Sequence, residues 1–356
     1  MKICLAPMDG ITDCAYRTVV SEIFAKYGDP KHELYTFSEF MSAEWYTHNP
    51  RKLVRHVVNI AEQIPFIAQI YGADADALIQ TAVDIESKYG HLFTGIELNI
   101  GCPSPKVMKC GSGAGMMCDR SNTLNIIKRI SESISLPFSV KTRTWLSSDL
   151  AEQQSQYDFI LQCAQYCSMI TIHGRNYKQS HNGSVNRDYI YKIKSELTNT
   201  PVTIIGNGWL NNYQDGLDAV GNLDGVMRWQ AAMIWPRVLT PHKPSLNDIH
   251  ETIMRHLHLC IAHQIWFDDE SHWIAEGKYS GIFVQPTQPQ IEDIILQIPT
   301  QYTDTDFHSI VEFRKHLFRY VSGLIGNKEF KQSVVNIKSY TPLVAAIEQL
   351  WNKQEI

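Results

Sequence analysis

The chain of 356 residues contains no apolar run long enough to cross a lipid bilayer as a helix. Its first seven residues enter a strand-like segment directly, without the basic region and long apolar stretch of a secretory signal. We therefore expect a cytoplasmic protein that does not bind membranes.

The eight cysteines form no C-x-x-C pair and no cluster with His at zinc-ligand spacing, so we expect no metal site. In a cytoplasmic chain of this size, most thiols are buried as small apolar groups. Cys163 and Cys167 lie four residues apart in a predicted helix, which favours a packed helix face.

An excess of basic residues is also missing, since 32 Lys and Arg stand against 37 Asp and Glu, a formal net charge of −5. This balance argues against a wholly basic surface that coats nucleic acid, but it permits a local basic patch. Residues 314–338 contain six Lys and Arg and one Glu. A run of this kind is commonly only a solvated helix face.

Eight short apolar segments recur along the first two-thirds of the chain, and helix-length segments follow them. The predicted strands are residues 3–6, 34–37, 66–70, 95–98, 138–141, 169–172, 202–205 and 225–227. The predicted helices include residues 13–26, 75–88, 122–133 and 158–165, with Thr12, Asp74 and Ser121 as N-caps and Gly28 and Gly90 as stops. This repeat predicts an α/β fold, a (β/α)₈ TIM barrel over residues 1–243. The alternative is an open doubly wound sheet, but no G-x-G-x-x-G follows the first strand.

The pattern changes after residue 243, and helices dominate from there. We predict an all-helical C-terminal domain over residues 244–356, with helices at 248–265, 305–324 and 341–353. Residues 272–303 are rich in Gln, Pro and Thr. We interpret them as a surface insertion or a short extra helix.

Polar side chains occupy the positions where the predicted strands end, which is where (β/α)₈ enzymes place their active sites. The set is Gln69, Glu97, Asn99, Lys141, Arg143, His173, Arg175, Asn207 and Gly208. Singly, Lys141 could pair with Glu97, and His173 could be a buried core histidine. Together they suit an electron-poor, carbonyl-rich ring with an attached phosphate. Gln can pair with a ring edge, Lys can stabilise negative charge, and a glycine turn leaves N–H groups for phosphate.

Cys102 lies between Gly101 and Pro103, on a constrained turn after the fourth predicted strand. As a general acid it must be a neutral thiol near pH 7, the form in which an ordinary cysteine mostly exists. As a nucleophile it would need a base, and the sequence fixes none. The glycine-rich residues 110–115 that follow are typical of a mobile loop that closes over a substrate.

These motifs resemble those of the bacterial tRNA-dihydrouridine synthases throughout the predicted barrel. The resemblance rests on Ala6-Pro7-Met8-Asp9-Gly10-Ile11-Thr12-Asp13, Ser38-Glu39, Gln69-Ile70-Tyr71-Gly72, Glu97-Leu98-Asn99-Ile100-Gly101-Cys102-Pro103, Val140-Lys141-Thr142-Arg143, Ile172-His173-Gly174-Arg175 and Gly206-Asn207-Gly208. Farther on, Phe313-Arg314-Lys315-His316-Leu317 is similar to the signature of the family's helical tRNA-binding domain.

The resemblance implies FMN-dependent reduction of the C5=C6 bond of a tRNA uridine to 5,6-dihydrouridine, with NADPH or NADH as electron donor. Reduced FMN would give a hydride to C6, and Cys102 would give a proton to C5. The expected FMN contacts are Pro7, Met8, Asp9, Gln69, Lys141, His173, Asn207, Gly208, Trp209, Trp229 and Gln230. The expected substrate contacts are Asn99, Arg143, Arg175, Gln179, Arg314 and Lys315. We expect a monomer with tRNA as its partner.

The sequence departs from the family pattern at two loops. Where the family has Met-Ile-Gly-Arg-Gly-Ala after the last strand, this chain has Met227-Arg228-Trp229-Gln230-Ala231-Ala232, which predicts a weaker phosphate contact and a lower affinity for FMN. The loop Gln179-Ser180-His181-Asn182-Gly183 lacks the family's aromatic residues, which predicts a different choice of tRNA position.

Two other functions remain compatible with these residues. One is an FMN barrel that acts on a free pyrimidine, like a dihydroorotate or dihydropyrimidine dehydrogenase. The helical C-terminal segment argues against it, because a free base needs no such domain. The other is a tRNA-binding homologue without catalytic activity, in which Trp229 blocks the flavin.

Overall fold

The barrel strands of the protein match the sequence prediction closely. The computed structural model describes residues 1–61, 64–147, 149–180, 182–208, 212–228, 235–276 and 281–354. Its strands are β1 (Lys2–Leu5), β2 (Glu33–Phe37), β3 (Met41–Ser42), β4 (Phe66–Tyr71), β5 (Gly95–Asn99), β6 (Phe138–Arg143), β7 (Met169–His173), β8 (Thr203–Asn207), β9 (Gly225–Arg228), β10 (Trp273–Ala275) and β11 (Gly281–Phe283). All eight predicted strands are present, each within two residues of its predicted bounds.

Parallel pairing closes these strands into a ring. Strand β1 pairs with β2 and β9, and consecutive strands pair from β4 to β9. The ring is completed by β2 and β4, where Thr36 lies opposite Phe66 and Phe37 opposite Ile67. The two-residue strand β3 extends the pairing at the end of β4. The closed barrel confirms the predicted TIM-barrel fold and excludes the open doubly wound sheet.

The inward face of the barrel changes from apolar to polar along the strands. Successive side chains of a strand point to opposite faces, so every second residue points inward. The apolar inward cluster is Cys4, Ala6, Phe37, Ile67, Met169, Ile205 and Met227. Gln69, His173 and Asn207 lie two or four positions beyond members of this cluster and therefore share its face. The barrel thus has an apolar floor and a polar mouth.

Helices surround the barrel and form the C-terminal part. They are α1 (Cys14–Tyr27), α2 (Ala43–His48), α3 (Pro50–Leu53), α4 (Ala75–Tyr89), α5 (Pro105–Lys109), α6 (Arg120–Ser133), α7 (Leu150–Cys163), α8 (Arg187–Glu196), α9 (Tyr213–Ala219), α10 (Leu246–Asp268), α11 (Gln288–Gln301), α12 (His308–Tyr320), α13 (Asn327–Ser333) and α14 (Tyr340–Asn352). Short 3₁₀ turns lie at Val54–Val57, Gly90–Leu92, Gly113–Cys118, Pro236–Leu239 and Glu270–His272. In the described part of the chain, no helix is long and apolar enough to cross a membrane.

Aspartates set the starts of several barrel helices. The predicted cap Asp74 is confirmed, because its Oδ1 accepts from the N–H of Ala77 at 2.7 Å. The predicted caps Thr12 and Ser121 are wrong, because Asp13 and Asp119 accept the first-turn N–H groups of α1 and α6. Helix α7 begins at Leu150, eight residues before its predicted start, behind the cap Asp149.

The C-terminal helices pack against α1 of the barrel. On α10, Arg255 bonds Glu22 of α1 at 3.0 Å and Glu292 of α11 at 2.9 Å. The ring of His316, on α12, stacks on Tyr16 of α1 with ring centroids 4.9 Å apart. Burial lowers the pKa of His316 well below the ordinary value, so the ring is neutral at this seam. Polar and aromatic contacts therefore join the two parts of the chain.

The stretch predicted as a surface insertion or a short extra helix contains a helix that packs into the C-terminal core. It forms a β-hairpin, β10–β11, followed by the 14-residue helix α11. Ile291 and Ile298 of α11 are fully buried against the other C-terminal helices. The surface interpretation is therefore wrong for this helix. The predicted domain division at residues 243 and 244 stays a prediction, and α10 begins at Leu246.

Replacing Ile291 by Ala should lower the free energy of unfolding by about 2–5 kcal/mol, because it leaves a cavity beneath α11. The matched control is Leu296→Ala on the same helix, where the side chain is 75% exposed. That variant should change stability by no more than about 0.5 kcal/mol. Urea titration of both variants measures the difference. Equal, small losses would contradict a core role for α11.

Candidate active site at the barrel mouth

A cavity of about 450 Å³ opens at the carboxyl ends of the barrel strands. The site residues predicted from the sequence that line it are Pro7, Met8, Asp9, Asn99, Cys102, Lys141, Arg143, His173 and Asn207. The strand register brings them together, since Asn99 pairs with Lys141, and His173 pairs with both Arg143 and Asn207. Small-molecule sites in proteins have this size and this mixture of apolar and convergent polar groups.

Other predicted site residues are not among the residues that line the cavity. They are Gln69, Gly208, Arg175, Gln179, Arg314 and Lys315. Trp209, Trp229 and Gln230 fall outside the described residues. Phe40 and Ser180 line the cavity although the sequence did not single them out as contacts. Both lie in loops, whose course does not follow from strand periodicity.

Gln69 is fully buried and is held by two side chains. Its Nε2 donates to Oε1 of Glu97 at 2.6 Å, and its Oε1 accepts from Nδ2 of Asn99 at 3.1 Å. These bonds fix the orientation of the amide. Among the described residues, the side-chain amide has no partner for its second N–H or for its second lone pair.

Glu97 is fully buried and Lys141 is partly buried inside the barrel, and each shifts the pKa of the other. Burial raises the pKa of Glu97 to about 7, and the neighbouring Lys141 opposes that shift. Burial likewise lowers the pKa of Lys141 to about 8, with Glu97 opposing. No carboxylate of the described residues lies within salt-bridge distance of the Lys141 ammonium, which lines the cavity. The ammonium can therefore serve a bound anionic group.

The Cys102 turn is held by hydrogen bonds from both sides. Oδ1 of Asn99 accepts from the N–H of Gly101 at 3.1 Å and from the N–H of Cys102 at 2.9 Å. The carbonyl of Cys102 accepts from the N–H of Ala114 at 3.0 Å. The thiol is partly exposed and faces the cavity lining, whereas a side chain at Gly101 would press on the backbone of Thr142.

The glycine-rich residues 110–115 pack onto this turn. Ala114 is fully buried, and Gly113 has φ of 56°. A Cβ at Gly113 would lie 2.9 Å from the carbonyl oxygen of Cys102, so the close approach requires glycine. The stretch predicted as a mobile lid is thus a packed support for Cys102 in this conformation.

His173, Arg175 and Gly208 form one contact group at the end of β7 and β8. Gly208 has φ of 122°, and a Cβ there would lie 2.5 Å from Cδ2 of His173. Arg175 donates to the carbonyl of Gly208 and, through Nε, to the carbonyl of Gly183 at 2.9 Å. The absence of a side chain at Gly208 leaves its backbone close to the His173 ring.

The carboxylate of Glu39 holds the β1–α1 loop, which lines the cavity. Glu39 accepts from the N–H of Gly10 at 2.6 Å and from Nδ1 of His56 at 3.0 Å. Burial opposes the charge of Glu39, but His56 and Gly10 hold the pKa of this carboxyl below its usual value. Glu39 belongs to the Ser38-Glu39 motif and was not among the contacts expected from the sequence. Its place directly after β2 was the signal for a site role.

The helical part reaches the rim of the mouth through α12. A Cβ at Gly10 would lie 3.6 Å from Nζ of Lys315, so this ammonium sits over the β1–α1 loop. Arg314 is its neighbour on the helix and is partly exposed. Gln179 instead closes its own turn, accepting from the N–H of Asn176 at 2.9 Å.

Sequence comparison gives the family of the chain. The family model described as dihydrouridine synthase (Dus) matches residues 4–265, which spans the barrel and most of α10. The chain belongs to the dihydrouridine synthase family. The resemblance stated from the sequence is therefore confirmed.

Curated members of the dihydrouridine synthase family align over most of their length. "tRNA-dihydrouridine synthase B" of Pasteurella multocida is 27% identical over 307 residues, covering 81% of this chain and 85% of the relative. "Probable tRNA-dihydrouridine synthase" of Staphylococcus epidermidis is 28% identical over 291 residues, covering 79% of this chain and 84% of the relative.

Arg228 does not supply the arginine that the Dus family pattern has after the last strand. Its side chain is buried outside the barrel, where Nη2 donates to the carbonyl of Tyr213 at 2.8 Å and Nη1 donates to the carbonyl of Val238. A Cβ at Gly216 would collide with this guanidinium. Arg228 therefore anchors α9 and the Pro236–Leu239 turn.

The Glu97→Gln variant should remove part of the pH dependence of stability in this Dus protein. Glu97 has a folded pKa of about 7 against an ordinary 4.5, so the folded state binds the proton more tightly. Its contribution to stability is present below the ordinary pKa and falls as pH rises through the folded pKa. The melting temperature of the wild type should therefore fall more than that of the variant between about pH 5 and about pH 7.5.

The control for this measurement is Glu132→Gln, on the exposed face of α6, which should keep the wild-type pH dependence. Melting curves recorded in buffers of equal ionic strength give the comparison. Parallel curves for the wild type and Glu97→Gln would contradict the buried titration.

Proposed function

We propose that the chain reduces the C5=C6 bond of a uridine in tRNA to 5,6-dihydrouridine, with Cys102 as the proton donor. The observation that carries the proposal is the position of the Cys102 turn beside Lys141, His173 and Asn207 on one cavity of a Dus-family barrel. The names of the curated relatives support the same reaction.

The residues at the mouth fit FMN as the cofactor. Lys141 offers a cation that has no salt bridge to any described residue, and Gln69 has an oriented amide that is fully buried. Met8 and Pro7 give an apolar surface for a flat ring. Bound there, FMN would supply a hydride for C6 of uracil after reduction by NADPH or NADH. Asn207 lines the same cavity and would hold FMN together with the neighbouring Gly208.

Cys102 would complete the reduction by giving its Sγ proton to C5 of the uracil ring. The turn fixes the thiol through Asn99 and Ala114, so proton delivery needs little reorganisation. Asn99 would also contact the substrate, because it lines the cavity between the turn and Lys141.

tRNA would bind across the rim formed by the barrel and α12. Lys315 lies over Gly10, and Arg314 is adjacent to it, which gives two cations for phosphates near the cavity. A uridine within the tRNA fold would have to turn out of its stack to reach Cys102. Arg175 contributes a further positive charge beside His173.

Replacing Cys102 by Ala should leave flavin absorbance intact but lower dihydrouridine formation by about 100- to 10,000-fold, the usual contribution of a general acid. Purified protein is incubated with FMN, NADPH and tRNA that lacks dihydrouridine, and mass spectrometry of the tRNA counts the product. Cys118→Ala is the control, because that exposed cysteine lies outside the cavity and should leave turnover unchanged.

Each of three outcomes would overturn part or all of the proposed function. Wild-type turnover by Cys102→Ala would assign the acid to another group. Reduction of free uracil or orotate in place of tRNA would assign a free-pyrimidine oxidoreductase. A colourless protein that binds tRNA and cannot be reconstituted with FMN would assign a tRNA-binding protein without catalysis.

The double substitution Arg314→Gln and Lys315→Gln should weaken tRNA binding about tenfold at low salt and reduce the salt dependence of binding by about one to two phosphate contacts. Flavin absorbance should not change. Lys128→Gln with Arg129→Gln on the outer face of α6 is a matched control with the same charge loss. Equal affinities for the two double variants would remove α12 from the interface.

A further inference from the structure

Arg143 was expected from the sequence to contact substrate, but its side chain is bound to backbone carbonyls of the protein. It is 2% exposed, among the largest fully enclosed side chains of the protein. Nε donates to the carbonyl of Gly101 at 2.8 Å. Nη1 donates to the carbonyl of Ser180 at 2.7 Å and to that of Asn176 at 3.2 Å. One guanidinium thus binds two loops of the mouth.

The two loops have different places around the cavity. The Gly101 carbonyl belongs to the peptide that precedes Cys102, so a bond to it fixes the turn that carries the thiol. Ser180, in the other loop, also lines the cavity. With φ of 50°, it is the single non-glycine residue in the described ranges with a left-handed backbone. Such a conformation persists where surrounding contacts enforce it, and Arg143 provides one.

The base of the Arg143 side chain is fixed independently of both loops. Nε2 of Gln156, from α7, donates to the carbonyl of Arg143 and to Oγ1 of Thr142, each at 3.2 Å. Oε1 of Gln156 in turn accepts from Arg120 at 2.8 Å. A rigid strand end therefore carries the guanidinium. Burial lowers the pKa of Arg143 to about 10, which leaves it charged at neutral pH.

We propose that Arg143 is a positioning residue that ties the Cys102 turn to the loop at residues 176–180. The location of the thiol over the cavity then depends on the conformation of that loop. A planar fork with several donors suits three carbonyls at once, whereas the single ammonium of Lys does not. The role of the positioned thiol rests on the proposed function, but the tie itself does not.

The substitution Arg143→Lys tests the tie between the two loops. Lys keeps the positive charge but lacks the planar guanidinium that binds the three carbonyls. The holoprotein is treated with iodoacetamide, and peptide mass spectrometry follows each cysteine. Exposed Cys118 is the internal reference in the same sample. We expect Cys102 to react about tenfold faster relative to Cys118, since hydrogen bonds that hold its turn are lost. Arg129→Lys, at an exposed pair on α6, is the control and should leave the ratio unchanged.

Measurements of turnover and of tRNA binding distinguish a positioning role of Arg143 from a phosphate contact. With tRNA as substrate, Arg143→Lys should lower kcat about 10- to 100-fold, with the Kd for tRNA and its salt dependence unchanged within about twofold. An unchanged Cys102 ratio, together with weaker tRNA binding and a smaller salt slope, would overturn the proposal and make Arg143 a phosphate contact.

Two further results remain decisive. If wild-type protein does not reduce tRNA, the proposed function fails, while the iodoacetamide ratio still decides the tie. If Arg143→Lys has a circular dichroism spectrum unlike that of the wild type, the uncharged variant Arg143→Gln is measured in the same way. A Cys102 ratio equal to the wild-type value in a folded variant overturns the tie.

Discussion

The burial of the Glu97 carboxylate inside the closed barrel is the constraint on which the arrangement of side chains at the mouth depends. Burial takes the solvation of Glu97 away and raises its pKa, Lys141 opposes that shift, and one carboxyl oxygen is bonded by Gln69. Gln69 then accepts from Asn99, and Asn99 accepts from the turn of Cys102. A chain of hydrogen-bonded side chains therefore runs from the barrel interior to the turn that carries the thiol.

Periodicity and position could predict the barrel and much of its mouth. Strands covered on both faces are continuous apolar segments, and their carboxyl ends meet at one rim. Gln69, Lys141 and His173 could therefore be placed together from the sequence. Their inward direction follows from the alternation of side chains, which also puts Glu97 inside.

Tertiary contacts decided what the sequence could not predict. The composition of residues 272–303 is polar, but Ile291 and Ile298 lie seven residues apart on one face of α11 and are both buried. Arg143 could be placed at a strand end, yet the three carbonyls it binds depend on the course of two loops. Arg228 likewise lies next to a family motif but turns outside the barrel.

The contact between Lys315 and the Gly10 loop joins residues near opposite ends of the chain. The ribosome completes every barrel strand before it releases α12, so a nascent chain can form its floor and thiol turn while the rim still lacks this cation. Loss of the C-terminal helices by proteolysis would have a similar effect. It would leave Tyr16 without its stacked histidine and the mouth open on that side.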